Sequence, residues 1–79
     1  MDILRQILNN IIKIVVADTI VSIGKYAFKG CSYLQDINIP NSVTSIGDRA
    51  FKDCTYLSKL FIPLTVTNIG DYAFYFCQE

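Results

Sequence analysis

The sequence predicts an α/β repeat solenoid. Short parallel β-strands stack on one another, short helices lie on the convex side, and a further helix caps the N-terminal end. Three features predict it. One motif recurs at a fixed step of 23 residues, its apolar positions alternate as in a half-buried strand, and glycine and proline punctuate successive copies at matching offsets.

The repeat is read directly from the residues. Ile23-Gly24 returns as Ile46-Gly47 and Ile69-Gly70, and Ala27-Phe28 as Ala50-Phe51 and Ala73-Phe74. Cys31, Cys54 and Cys77 share the same step, as do Leu34 and Leu57, Ile39-Pro40 and Ile62-Pro63, and Val43 and Val66. The register also runs backwards, placing Ile20 under Val43, Val16 under Ile39, Ile14 under Ile37 and Ile11 under Leu34. Before Ile11 the identities fade, so the first segment reads as a degenerate repeat.

Each copy then divides into elements. Leu34-x-x-Ile37-x-Ile39 and Leu57-x-x-Leu60-x-Ile62 read as a short strand with one buried face. Pro40 and Pro63 end it, because proline brings no N–H to a ladder. The β-branched alternation from Val43 to Ile46 and from Val66 to Ile69 suggests a second short strand. Gly24, Gly47 and Gly70 form a corner. Ala27, Phe28 and Cys31, with their counterparts 23 residues on, have the spacing of one helical face. Near the N-terminus, Ile3, Leu4, Ile7, Leu8 and Ile11 make an amphipathic stripe, with Asp2 as N-cap and Asn9-Asn10 as stop. Such a helix would cover the open end of the core, as terminal repeats require. Residues 1–79 form a single domain: 1–17 hold the N-terminal helix and degenerate repeat, and 23-residue repeats run from about 20 to 79.

Composition narrows the function. Seven basic residues balance seven acidic ones, so neither nucleic acid nor an anionic membrane surface finds a basic face. Ile11 to Gly24 is the richest apolar stretch, but Lys13 and Asp18 break it, so membrane insertion is not expected. Asp2, Asn9-Asn10 and Lys13 also spoil a signal peptide. The chain as it stands therefore reads as intracellular. There is no histidine, which removes Ser-His and Cys-His nucleophile pairs. No phosphate-cradling glycine loop and no Cys-x-x-Cys pair occurs. No catalysis, cofactor or metal is expected.

The unit Ile-Pro-x-x-Val-Thr-x-Ile-Gly-x-x-Ala-Phe-x-x-Cys-x-x-Leu resembles the BspA-type leucine-rich repeat. Residues 39–57 match it throughout, residues 62–77 as far as they extend, and residues 20–34 with Val21 in place of the threonine. The resemblance implies a leucine-rich-repeat solenoid. It implies roles in adhesion and partner binding, without a shared enzymatic activity, and for many members a cell-surface or secreted setting. Two departures are the missing secretion signal and a last residue, Glu79, that falls inside a repeat. The expected function is a protein-interaction module. The alternative is a structural fragment or stub of a longer cell-surface adhesin with no activity of its own.

Candidate functional positions lie on the outward face of the first strand. Lys13, Asp36 and Lys59 form one column, and Val15, Asn38 and Phe61 the next. Neighbouring strands lie about 4.8 Å apart, so opposite charges in a column attract, and an exposed Phe61 has the character of a binding hot spot. The competing reading is a solvated charge ladder that only helps the register. The three cysteines could form a disulfide or a metal site; buried reduced thiols are the preferred reading. Phe28, Phe51 and Phe74 belong to the core by their register. Tyr33 stacks with Tyr56, and Tyr26 and Tyr72 flank Arg49. Tyr75 and Phe76 stand where the other copies carry lysine, glycine or aspartate, so self-association is expected through residues 60–77.

Overall fold

In a computed structural model, Ile3, Gln6, Ile7 and residues 10–77 are described. Six short strands occur among them: β1 (Lys13–Val15), β2 (Ser22–Ile23), β3 (Asp36–Asn38), β4 (Ser45–Ile46), β5 (Lys59–Phe61) and β6 (Asn68–Ile69). They form two parallel sheets, ordered β1-β3-β5 and β2-β4-β6. Each repeat thus adds one strand to each sheet. The sequence period sets the pairing, since Ile14, Ile37 and Leu60 are successive partners, as are Ile23, Ile46 and Ile69. Ile39 and Ile62 lie just beyond their strands, ahead of or beside the prolines that end the ladder.

The core is a column of repeated residues. Leu34, Ile37, Val43, Ile46, Ala50, Phe51 and Cys54 of the middle layer are all buried, most of them completely. Among their counterparts in the outer layers, Ile14, Leu60, Val66, Phe28 and Phe74 are only partly buried, although Ile23, Cys31, Leu57 and Ala73 remain buried. This gradient is what a stack of layers gives, because a middle layer has two neighbours and an outer one has fewer. The phenylalanine rings stack through it. Phe28 and Phe51 are 5.4 Å apart between centroids, and Phe51 and Phe74 are 5.2 Å apart at an interplanar angle of 3°.

The expected convex helices are corrected. Residues 25–30, 48–53 and 71–76 are consecutive turns. Two residues in each run have a left-handed backbone: Tyr26 and Gly30, Arg49 and Asp53, Tyr72 and Phe76. A residue at positive φ cannot continue a right-handed helix. The N–H groups alternate between two partners instead. Ala27, Lys29 and Cys31 donate locally to Gly24, Tyr26 and Phe28, whereas Tyr26, Phe28 and Gly30 donate to Asp48, Ala50 and Lys52 of the next layer. The same alternation ties Arg49, Phe51 and Asp53 to Asp71, Ala73 and Tyr75. An i, i+1, i+4 apolar spacing fits these turns as well as a helix, because both bring those side chains to one face.

The glycine corners answer to close approach. A Cβ on Gly47 would lie 2.6 Å from the Lys25 nitrogen and 2.8 Å from the Gly24 carbonyl carbon. One on Gly70 would collide with Asp48 and lie 2.7 Å from the Gly47 carbonyl carbon. Neither glycine has a positive φ. Ile3, Gln6 and Ile7 are helical, with Ile3 and Ile7 exposed. The remaining residues of the expected capping helix, Asp2, Leu4, Leu8 and Asn9 among them, lie outside the described residues.

Candidate interaction face

The outward face of the first sheet gathers the six residues singled out by the repeat register. Strand pairing aligns Lys13 with Asp36 and Asp36 with Lys59, and aligns Val15 with Asn38 and Asn38 with Phe61. Alternation along each strand turns Ile14, Ile37 and Leu60 toward the core and their neighbours outward. Lys13 Nζ lies 3.9 Å from Asp36 Oδ2, the lysine exposed and the aspartate partly so. Such a pair contributes little to stability. Phe61 is 73% exposed and Val15 68%, so two large apolar side chains flank the polar Asn38 on this face. A shallow depression runs along it, bordered by Asp36, Asn38, Lys59 and Phe61.

A second surface group did not figure among the candidates. Arg49, Lys52, Tyr72 and Tyr75 border a small depression on the turn side. The Arg49 guanidinium sits 4.9 Å from the Tyr72 ring centroid, and the Lys52 ammonium 5.8 Å from that of Tyr75. Tyr75 in turn packs on Tyr72 and Phe76. Lys52 also pairs with Asp53 at 3.2 Å. The 23-residue step from Lys52 to Tyr75 and from Arg49 to Tyr72 was the available signal. It needed the turn geometry to show that each cation reaches the ring beside it. Of the two tyrosines expected at Arg49, Tyr72 makes the contact, while Tyr26 lies under Lys29 at 5.7 Å. Tyr33 and Tyr56 meet edge to face, 5.4 Å apart and both exposed.

The thiols belong to the interior. Cys31 and Cys54 are buried, Cys77 is partly so, and no disulfide joins them. The Cys54 thiol donates to the Phe28 carbonyl at 3.3 Å and that of Cys77 to the Phe51 carbonyl at 3.0 Å, each bond crossing between layers. The neighbouring Cys77 thiol and burial push the Cys54 thiol far above its ordinary range, so it stays protonated. Among the described residues, no group of three His, Cys, Asp or Glu side chains could hold a metal ion. No helix among them is long and apolar enough to cross a membrane.

Comparison with known proteins bears on this geometry. No curated protein and no solved structure matches the chain. A family model does: that of the BspA type leucine rich repeat region matches residues 6–79, in six copies. Its span takes in every strand of both sheets and all of the turns between them. Repeats of this family are generally non-catalytic and often serve protein interaction. The recurring Ile-Gly, Ala-Phe and Cys positions that build the core are therefore the signature of a family, and this chain belongs to the BspA-type leucine-rich repeats.

Proposed function

We propose that the chain is a leucine-rich-repeat solenoid module that binds a protein partner through the outward face of its first sheet, without catalysis. One observation carries this reading. Strand pairing brings Val15, Asn38 and Phe61 into one column beside Lys13, Asp36 and Lys59 in the other, and leaves Phe61 and Val15 uncovered. A large aromatic next to alternating charges offers an apolar anchor and an electrostatic pattern for register.

The partner is a protein whose surface provides an apolar recess for Phe61 and an acidic group near Lys59. The experiment is capture with the full chain, run beside Phe61→Ser and a control on another face, Tyr33→Ser. A protein retained by the wild-type chain and by Tyr33→Ser, and lost with Phe61→Ser, supports the reading. Identical capture by all of them refutes it. Both substitutions fall on exposed side chains, so the fold should survive them.

A further inference from the structure

We propose that the depression on the turn side is a subsite for one acidic sugar unit of a glycan, a pyranose that carries a single carboxylate. It lies apart from the outward face of the first sheet, and it does not rest on the function proposed for that face.

The site is built between two layers. Arg49 and Lys52 come from one turn, Tyr72 and Tyr75 from the turn one period on, and together they border a depression of about 240 Å³. Hydrogen bonds from Arg49 to Asp71 and from Phe51 to Ala73 hold the two turns in register. The turn side stays open within the stack. Lys52 has a layer on either side, bonded through Gly30 and Tyr75, and its side chain is still 23% exposed. Arg49 and Tyr72 have φ values of 56° and 58°. That left-handed region favours glycine, asparagine and aspartate. Neither side chain belongs to the core cluster, so core packing does not offset the strain. Strained positions of this kind gather at binding sites.

Charge selects the ligand. The Arg49 guanidinium lies 4.9 Å from the Tyr72 ring centroid and forms no ion pair among the described residues. Lys52 is held 3.2 Å from Asp53, which offsets its charge. The site thus presents one net positive charge on a planar fork, which matches a carboxylate. A doubly charged phosphate ester fits less well, because the Asp53 carboxylate repels it. Tyr72 and Tyr75 are about half exposed and meet at 73°, so their rings can pack on the C–H face of a sugar and their hydroxyls can bond its own. An extended peptide finds less to hold. Arg49, Phe51 and Asp53 donate their N–H groups to the next layer, and Ala50 and Lys52 donate theirs within the turn. No backbone donor of this turn is left for strand pairing. The space is also smaller than the roughly 300–1,000 Å³ of a drug-sized ligand pocket, which suits a single ring.

The test is an NMR titration of the full chain with methyl glucuronoside, beside the neutral methyl glucoside, a sugar phosphate monoester and a peptide of consecutive aspartates. The glucuronoside should shift the Arg49 Nε–H and the ring signals of Tyr72 and Tyr75. The neutral sugar should bind about tenfold more weakly or worse. Added salt should weaken the glucuronoside. Arg49→Gln should lower its affinity by about tenfold or more, and Tyr33→Ser should leave it unchanged. Arg49→Gly removes the same charge and relaxes the left-handed backbone, so it should lose binding while keeping its thermal melt. Equal binding of the neutral sugar overturns the proposal, as does unchanged affinity in both Arg49 variants. Tighter binding of the aspartate peptide or of the phosphate ester overturns the choice of ligand.

Discussion

Truncating the middle ring of the phenylalanine stack should cost more than truncating an outer one. Phe51 is fully buried and stacks on Phe28 at 5.4 Å and on Phe74 at 5.2 Å. Phe51→Ala removes both ring contacts and leaves a cavity closed on either side by neighbouring layers. Loss of a buried phenylalanine costs about 3–5 kcal/mol. Phe74→Ala removes one stacking contact from a ring that is only partly buried. A stacked aromatic pair contributes about 0.5–1.5 kcal/mol beyond its area. The extra pair and the greater burial together put Phe51→Ala about 1–2 kcal/mol below Phe74→Ala. In a domain of this size that is a gap of about 4–16 °C in Tm. The whole chain, at about 0.05–0.15 kcal/mol per residue, holds only about 4–12 kcal/mol. Phe51→Ala should therefore stand near the limit of folding. Thermal and urea melts followed by circular dichroism, at a concentration where the chain is monomeric, measure the difference. Equal losses for the two variants would refute the layered account of stability, and so would a larger loss for Phe74→Ala.

The glycines give a second contrast: Gly47→Ala should lower Tm clearly, because its Cβ would sit 2.6 Å from the Lys25 nitrogen, whereas Gly24→Ala should leave the dilute melt within error. Native thiol labelling should modify Cys77 before Cys54 or Cys31, with an intact mass that shows no disulfide; rapid labelling of both buried thiols would contradict the packing. The Cys54 thiol has a folded pKa raised above its unfolded value of about 8.5. Its contribution is therefore full below that pH and is lost as pH rises beyond it, so urea midpoints should fall on the alkaline side, and Cys54→Ala should flatten that decline. Ser42 Oγ is buried without a hydrogen-bond partner, and its counterpart Thr65 bonds the Val43 carbonyl at 2.9 Å. Ser42→Ala should accordingly raise stability by up to about 1 kcal/mol in the same melts.

Much of this fold follows from the sequence alone, for a physical reason. A 23-residue repeat makes each layer a copy of its neighbour, so the partner of Ile37 in the sheet has to be the residue one period away, and Leu60 and Ile14 are those residues. The two outward columns, the buried cysteines and the central position of Phe51 follow from the same register. The path between the strands was not fixed in this way. An apolar spacing of i, i+1, i+4 suits a helical turn and a run of tight turns equally. Hydrogen bonds from Tyr26, Phe28 and Gly30 to the next layer, with a left-handed backbone at Tyr26 and Gly30, decided for turns. In sequence the glycines read only as corners, and the structure adds that Gly47 and Gly70 are there because another layer's backbone occupies the space of a Cβ. The different setting of Gly24, where a Cβ would meet none of the described residues within 4 Å, was likewise invisible, since in sequence it is one more copy of the same Ile-Gly pair. Periodicity identifies which residues are equivalent. Only the tertiary structure shows that equivalent residues differ in what lies above and below them, because neighbours are a property of position in the stack.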